Sequence, residues 1–342
     1  MQSRIQGTKH AIKFISQFVL AVLKVRSSNL SKIAVAVETG VEFLSTYRQI
    51  QRFLGNLKTI RIDYPGLLKM SGKLQVAIDR TEWKFGKVWI NILTVSVVYK
   101  RVAIPMVWQT VNRKGNARAL EHLQIIKRLI AETGKGRIQA IYGDREFASQ
   151  ELFSFLLAER IDFRIRLKTS HLAGGMSFQR RWRNLPARIK LRGKVGVEVF
   201  GLNLYVSCVK WKKGGKIEYL IVASGTAGKN ALAEYKVRWA IETMFGCLKS
   251  RGFEMEETHL TDPKKINKLL MLLALALCLA ILTGEIKTEM TRTVRMKLKN
   301  NGRYAKSLFR IGLDALQNIL FNIKLPDKIK TFNNLIDLLS CA

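Results

Sequence analysis

The 342-residue chain carries 59 Lys and Arg against 25 Asp and Glu, a formal net charge of +34, while 48% of its residues are hydrophobic. This length and apolar content support two or three domains with a substantial core and exclude a disordered basic tail. The charge excess goes beyond solubility and calls for a polyanionic partner, nucleic acid first and an anionic membrane surface second. Cys208, Cys247, Cys278 and Cys341 lie far apart with no CxxC pair, which argues against a zinc site or a disulfide framework and fits a reducing cytoplasm. His10, His122, His171 and His259 have no partner at metal-ligand spacing and read as structural or surface residues.

Residues 1–70 read as helical, with 11 basic and 3 acidic residues. Ile12, Ile15, Val19, Val22 and Leu23 keep the spacing of one amphipathic helix. The basic-then-apolar start superficially resembles a signal peptide, but Ser16 and Gln17 interrupt it and no convincing small-residue cleavage site follows, so export is not expected. A second helix is expected from about Leu30 to Glu38, between Ser27-Ser28-Asn29 and Gly40. A third follows at FLSTYRQIQRFL, residues 43–54. Two short helices about a glycine turn resemble a helix-turn-helix. Tyr47, Arg48, Gln51 and Arg52 then form a polar face suited to base edges and phosphates; the alternative is a helical bundle with a solvated basic face.

Residues 74–107 read as a three-strand meander: LQVAID (74–79), VWINILTVSVV (88–98) and RVAIPMVW (101–108). A helix is expected over Ala117–Thr133, with Leu120, Leu123, Ile126 and Ile130 as its apolar stripe. IQAIYGD (138–144) is a further strand, Ser149–Glu159 a helix and DFRIRLK (162–168) a strand. Residues 169–218 break this alternation with short β-like runs and glycine turns, and segment 161–218 holds 14 basic and 3 acidic residues. Trp182 and Trp211 lie among these cations, where they either pack or stack on an exposed base. The strand IEYLIVAS (217–224) leads back. The 14-residue apolar run Leu269–Leu282 is short for a membrane span, which needs about 20, and reads as a buried core helix. In the basic tail, Leu308, Ile311, Leu316 and Leu320 mark a helix packed on something, a second subunit being one candidate.

The stretch YKVRWAIETMFGCLK (235–249) carries the chemistry. At about 100° per residue, Tyr235, Arg238, Glu242 and Lys249 fall within roughly 60° of one helical face. A phenol, a guanidinium, a carboxylate and an ammonium on one stripe suit a hard cation and phosphate oxygens. Taken alone, the stripe is equally a solvated face with an Arg238–Glu242 ion pair. Asp79 and Asp144 add weight, because each is expected where a strand stops. A lone Asp there is usually a turn or cap residue, but two of them with Glu242 make a three-carboxylate site for paired divalent cations.

These motifs together resemble a known family. AIDRTEWKFGKVWINIL (77–93), YGDREF (142–147) and the full Y-x2-R-x3-E-x6-K signature at 235–249 are similar to the DDE transposases of the bacterial insertion-sequence-four family. RGFEMEETHLTDP (251–263) and KSLFRIGLD (306–314) add to the resemblance, which covers roughly residues 71–315.

The resemblance implies an α/β fold: a ribonuclease-H-like catalytic core interrupted by a β-rich insertion, with a helical N-terminal DNA-binding region and a helical C-terminal tail. The division it implies is 1–70 for the DNA-binding region, 71–168 and 219–284 for the two parts of the core, 169–218 for the basic insertion, and 285–342 for a tail that dimerises. It implies a cytoplasmic, nucleoid-associated enzyme, acting as a homodimer in a synaptic complex on double-stranded DNA and not on membranes. Such an enzyme binds insertion-sequence ends, hydrolyses phosphodiesters and joins the freed 3′-hydroxyl to target DNA. Two Mg²⁺ ions serve both displacements, with Mn²⁺ as a substitute, so no protein nucleophile is required. Asp79 would ligate both ions, and Asp144 and Glu242 one each. Tyr235 and Arg238 would contact the phosphate beside the cut end, and Lys249 the backbone further along. Arg80 and Arg145, each beside an Asp, are surface charges or phosphate contacts. A rival reading is a catalytically silent or domesticated DNA-binding protein of the same fold, and a third is a nuclease without strand transfer.

Overall fold

The computed structural model describes residues 4–37, 40–56, 60–111, 114–115, 117–228, 230–290 and 306–341. Glu38, the expected end of the second helix, and the basic stretch 291–305 of the tail lie outside the described residues. The chain forms two compact units, one of Met1–Ser71, Trp83–Ile90 and Met244–Ala342, the other of Gly72–Glu82 and Asn91–Thr243.

In chain order, helices α1 (Lys9–Val25), α2 (Leu30–Ala36) and α3 (Phe43–Asn56) come first. The meander follows as β1 (Leu74–Phe85), β2 (Val88–Tyr99) and β3 (Val102–Val111). Then come α4 (Ala119–Thr133), β4 (Ile138–Gly143), α5 (Gln150–Ala158) and β5 (Asp162–Arg166). The long strands β6 (Leu202–Lys213) and β7 (Lys216–Ser224) precede the short helix α6 (Ala231–Glu234) and helix α7 (Trp239–Leu248). Helices α8 (Pro263–Met290), α9 (Leu308–Phe321) and α10 (Pro326–Cys341) close the chain. Side-chain caps start several of them: Thr8 accepts from Ala11 N, Ser149 from Leu152 N and Ser307 from Arg310 N, each satisfying an orphan helical donor.

The central sheet runs β6-β7-β5-β4-β1-β2-β3, with Lys190–Leu191 at its far edge and Gly196–Val199 also paired to β6. β1 is parallel to β4 and β4 to β5, whereas β2–β3, β5–β7 and β6–β7 are antiparallel. A parallel neighbour needs a long crossover, and α5 supplies it between β4 and β5. Residues 76–78 of β1 are all buried, as in a strand covered on both faces. The long strands after residue 168 join the central sheet, because β7 pairs with β5, while Leu172–Ala173 and Met176–Ser177 form a separate two-stranded sheet.

Three expectations are corrected. Asp79 does not end a strand: β1 continues to Phe85, because Thr81 and Trp83 keep the alternating buried positions. Helix α4 turns His122, Ile125, Ile126 and Leu129 inward and leaves Leu120 63% exposed, since apolar residues on more than one face leave the inward side to packing. The apolar face of α9 is covered within this chain, against α8 and α1, and is not left for a second subunit.

Helix α8 is the core of its unit. Its most apolar window is 78% buried, and although it is long and apolar enough by composition to cross a membrane, it is wrapped by α1, α3 and α9. Gly284 and Gly312 permit the tight approach to α9, since a Cβ on Gly312 would overlap the Ala280 carbonyl oxygen.

Candidate active site

The sheet register builds the site. Ile78 of β1 stands opposite Gly143 of β4, so the residues that follow this pair are Asp79 and Asp144. Gly143 allows the crowding, because a Cβ there would lie 3.2 Å from Ile78 and 3.3 Å from Phe147. Asp144 leaves the strand and starts a 3₁₀ turn over Arg145–Phe147, with Phe147 N donating to its carbonyl at 3.0 Å. The Asp79 carboxylate is only 19% exposed and accepts from Arg80 N at 2.8 Å. Burial raises its pKa from 3.8 to about 6, against the lowering effects of that N–H and of Arg238, while Glu146 and Asp144 add repulsion.

The signature segment is not one continuous α-helix. After α6 it tightens into a 3₁₀ turn over Tyr235–Arg238 and reopens as α7 at Trp239. The ideal-helix stripe is therefore altered, yet five of the expected groups still meet. Arg238 Nη1 donates to Asp79 Oδ2 at 3.3 Å, and Arg238 Nη2 donates to Glu242 Oε1. Tyr235 Oη donates to Asp144 Oδ1 at 3.4 Å, and the Arg238 guanidinium lies 5.7 Å from the Tyr235 ring centroid. Asp79, Asp144, Tyr235, Arg238 and Glu242 thus belong to one polar network. Burial raises the Tyr235 pKa, which keeps the phenol protonated and donating. Burial works against the Arg238 charge, but Tyr235, Glu242 and Asp79 outweigh it and raise its pKa.

Sequence reasoning missed several members. Glu146, in the YGDREF run, faces Arg80: Arg80 Nη2 donates to Glu146 Oε2 at 3.5 Å, and Arg80 Nη1 donates to Glu82 Oε2 at 2.8 Å. Arg80 is therefore neither a free surface charge nor an open phosphate contact but a half-buried clasp. Arg166 Nη1 approaches Asp144 Oδ1 at 3.9 Å. Its signal was the alternation of Asp162, Arg164 and Arg166 with the buried Phe163 and Ile165 along DFRIR. Arg164, beside it, is buried and bridges Asp162 at 2.8 Å and Glu234 at 2.7 Å, tying β5 to α6. Trp239, between Arg238 and Ala240, is 50% exposed and was not singled out. A cleft of about 380 Å³ opens beside the carboxylates, lined by Asp144, Arg145, Glu146 and Lys168, and Arg145 is exposed there.

The other expected residues lie elsewhere. Lys249 follows α7, belongs to the helical unit, pairs with Glu256 Oε1 at 2.6 Å and lies 5.6 Å from the Trp83 ring centroid. On α3, Arg48 and Arg52 are exposed and Tyr47 and Gln51 half-buried. Arg48, Gln51 and Arg52, with Lys265 from α8, line a groove of about 590 Å³ that has no carboxylate among its described lining residues. Trp182 is half-buried against Phe178, with ring centroids 4.8 Å apart. Trp211 is half-buried on β6 opposite Glu218.

Among the described residues, no group of three His, Cys, Asp or Glu side chains is arranged to hold a metal ion. The expected trio is spaced by a guanidinium, which touches Asp79 and Glu242. The donors nonetheless suit a hard divalent cation in kind. They are carboxylate oxygens, and the mutual repulsion that helps raise the Asp79 pKa is what a cation relieves.

Residues 70–279 match the family described as Transposase DDE domain, which is more than half of the chain. No curated protein matches the chain significantly. Among solved structures, endonuclease V from Bacillus subtilis is similar at 9% identity, with 65% of this chain and 90% of that one covered and a TM-score of 0.27. Endonuclease V from Ciona intestinalis, in complex with a 23mer DNA containing an inosine followed by a ribo-adenosine, is similar at 12% identity, with 77% and 98% covered and a TM-score of 0.27. Scores this low bear on neither fold nor function.

Proposed function

Because the chain belongs to the transposase DDE-domain family, we propose that it is a transposase of the insertion-sequence-four type that binds the ends of its element, cleaves DNA strands with divalent metal and joins the 3′-hydroxyl ends to target DNA. The observation that carries this reading is the single network in which Arg238 links Asp79 to Glu242 and Tyr235 reaches Asp144. Asp79, Asp144 and Glu242 would hold Mg²⁺ or Mn²⁺, which when bound activates an attacking oxygen and stabilises a leaving one. Tyr235 and Arg238 are donors, and both can pass from carboxylate to phosphate oxygens without a change of protonation. Arg164 fixes Glu234 and so sets where the Tyr235–Arg238 turn rests. Arg145 and Lys168, at the cleft beside Asp144, offer cations to the DNA backbone.

In this reading the ribonuclease-H-like core comprises 71–168 and 219–284, with 169–218 as its insertion, 1–70 as the DNA-recognition region and 285–342 as a C-terminal tail. The large mixed α/β sheet is consistent with such a core. The exposed Arg48 and Arg52 on α3 support DNA contact, and the net charge of +34 supports a polyanionic partner in a bacterial cytoplasm. The test is to incubate the protein with DNA carrying candidate element ends, with and without Mg²⁺. Metal-dependent nicks at the ends followed by joined products support the reading, and end binding with no product under any divalent ion favours a silent DNA-binding protein.

A further inference from the structure

Building on the proposed metal-dependent reading, we infer that Arg238 is a built-in competitor of the divalent cation: its guanidinium holds the oxygens of Asp79 and Glu242 until a DNA phosphate draws it away. The geometry is a fork with two engaged tips, Nη1 on Asp79 Oδ2 at 3.3 Å and Nη2 on Glu242 Oε1. The Arg238 side chain is 8% exposed and its Nε is buried with no hydrogen-bond partner, so the polar contacts that hold the group are at the tips. The Tyr235 ring, 5.7 Å away, backs the guanidinium. Glu242, by contrast, is 54% exposed, so one end of the fork faces solvent.

A guanidinium binds carboxylate and phosphate through the same planar pair of N–H donors, so a phosphate replaces a carboxylate like for like. A guanidinium and a divalent cation on the same two carboxylates repel each other, and each weakens the other's hold. Whatever withdraws Arg238 therefore strengthens the cation, and by linkage the cation strengthens binding of whatever withdraws Arg238. The consequence is a site that takes metal weakly off DNA and fully once a strand end is seated.

The experiment titrates Mn²⁺ alone into the full chain without DNA and follows the free-ion electron paramagnetic resonance signal. Arg238→Gln is expected to bind Mn²⁺ about tenfold more tightly than the wild type, the scale of one lost charge-assisted contact. Arg238→Lys should fall between the two, because an ammonium cannot span both carboxylates, and it stands in if the Gln variant does not fold. Lys236→Gln removes an exposed cation two residues away and should stay within about twofold of the wild type. Equal or weaker Mn²⁺ binding by both Arg238 variants, with the wild type still nicking DNA, overturns this inference alone. Absence of Mn²⁺ binding by every variant, with no metal-dependent nicking, overturns the parent reading with it. In a second arm, Ca²⁺ at fixed ionic strength should tighten DNA binding more in the wild type than in Arg238→Gln, and an equal or larger gain in the variant overturns the coupling.

Discussion

The carboxylate network and the α3 groove handle charge in opposite ways. Around Asp79 the charges are withdrawn from water and already paired, with Arg238 8% exposed and Arg80 13% exposed between acidic partners. In the groove, Arg48 and Arg52 are exposed and Lys265 joins them with no carboxylate among the described lining residues. Removing one partner of a buried pair strands the other, so a substitution there acts on chemistry. Exposed cations surrounded by mobile counterions give affinity that depends on salt and adds up residue by residue. The two regions are therefore expected to respond to different perturbations.

The largest effect should come from the network. Asp79→Asn, Asp144→Asn or Glu242→Gln should each lower strand cleavage by about 10²–10³-fold or more while changing DNA affinity little. A cleavage assay beside a gel-shift titration checks both halves, and near-normal cleavage by one variant removes that residue from the site. Salt should act next, on the other region. A protein that neutralises 6–10 phosphates loses about 10³–10⁵ in affinity between 50 and 200 mM salt, and a flat response would break the comparison at its electrostatic end.

Smaller changes sharpen the contrast. Arg48→Gln, Arg52→Gln and Lys265→Gln should each reduce the slope of log affinity against log salt by about 0.9 and leave turnover of bound DNA intact. A loss of turnover with an unchanged slope would move that residue from the groove to the chemistry. The pH response should come only from the network. Asp79 keeps its proton to about pH 6, so cation binding and cleavage should rise between about pH 5 and 7. Stability moves the other way. The folded chain binds this proton more tightly than the unfolded chain does, so the contribution is complete below the ordinary Asp value of 3.8 and is lost as pH rises through about 6. Parallel pH profiles of cleavage and of thermal unfolding, wild type against Asp79→Asn, separate the two.

Much of this organisation was legible because it is written in local periodicity. Alternation marked the start of β1, helix spacing marked α1, short apolar runs marked β2 and β3, and the unbroken run Leu269–Leu282 marked the helix that became the core of its unit. Helical spacing, expected strand ends and the family resemblance together also singled out Asp79, Asp144, Glu242, Tyr235 and Arg238 as a group. Ion pairs between residues distant in sequence have no such signature. The Arg80–Glu146 clasp joins residues 66 apart, and the Arg238–Asp79 contact joins residues 159 apart. Both depend on which strands become neighbours and in what register, and the β1–β4 pairing of Ile78 with Gly143 decides that. Backbone detail was also hidden. An ideal helix over 235–249 keeps Lys249 on the stripe, but the 3₁₀ turn and the end of α7 at Leu248 leave Lys249 to Glu256 and Trp83. The sequence by itself determined which chemical groups this protein owns and roughly which element carries each. Only the tertiary structure decided that a guanidinium stands between two of its carboxylates, because a buried charge takes the partner that packing brings near, and packing is a property of the whole chain.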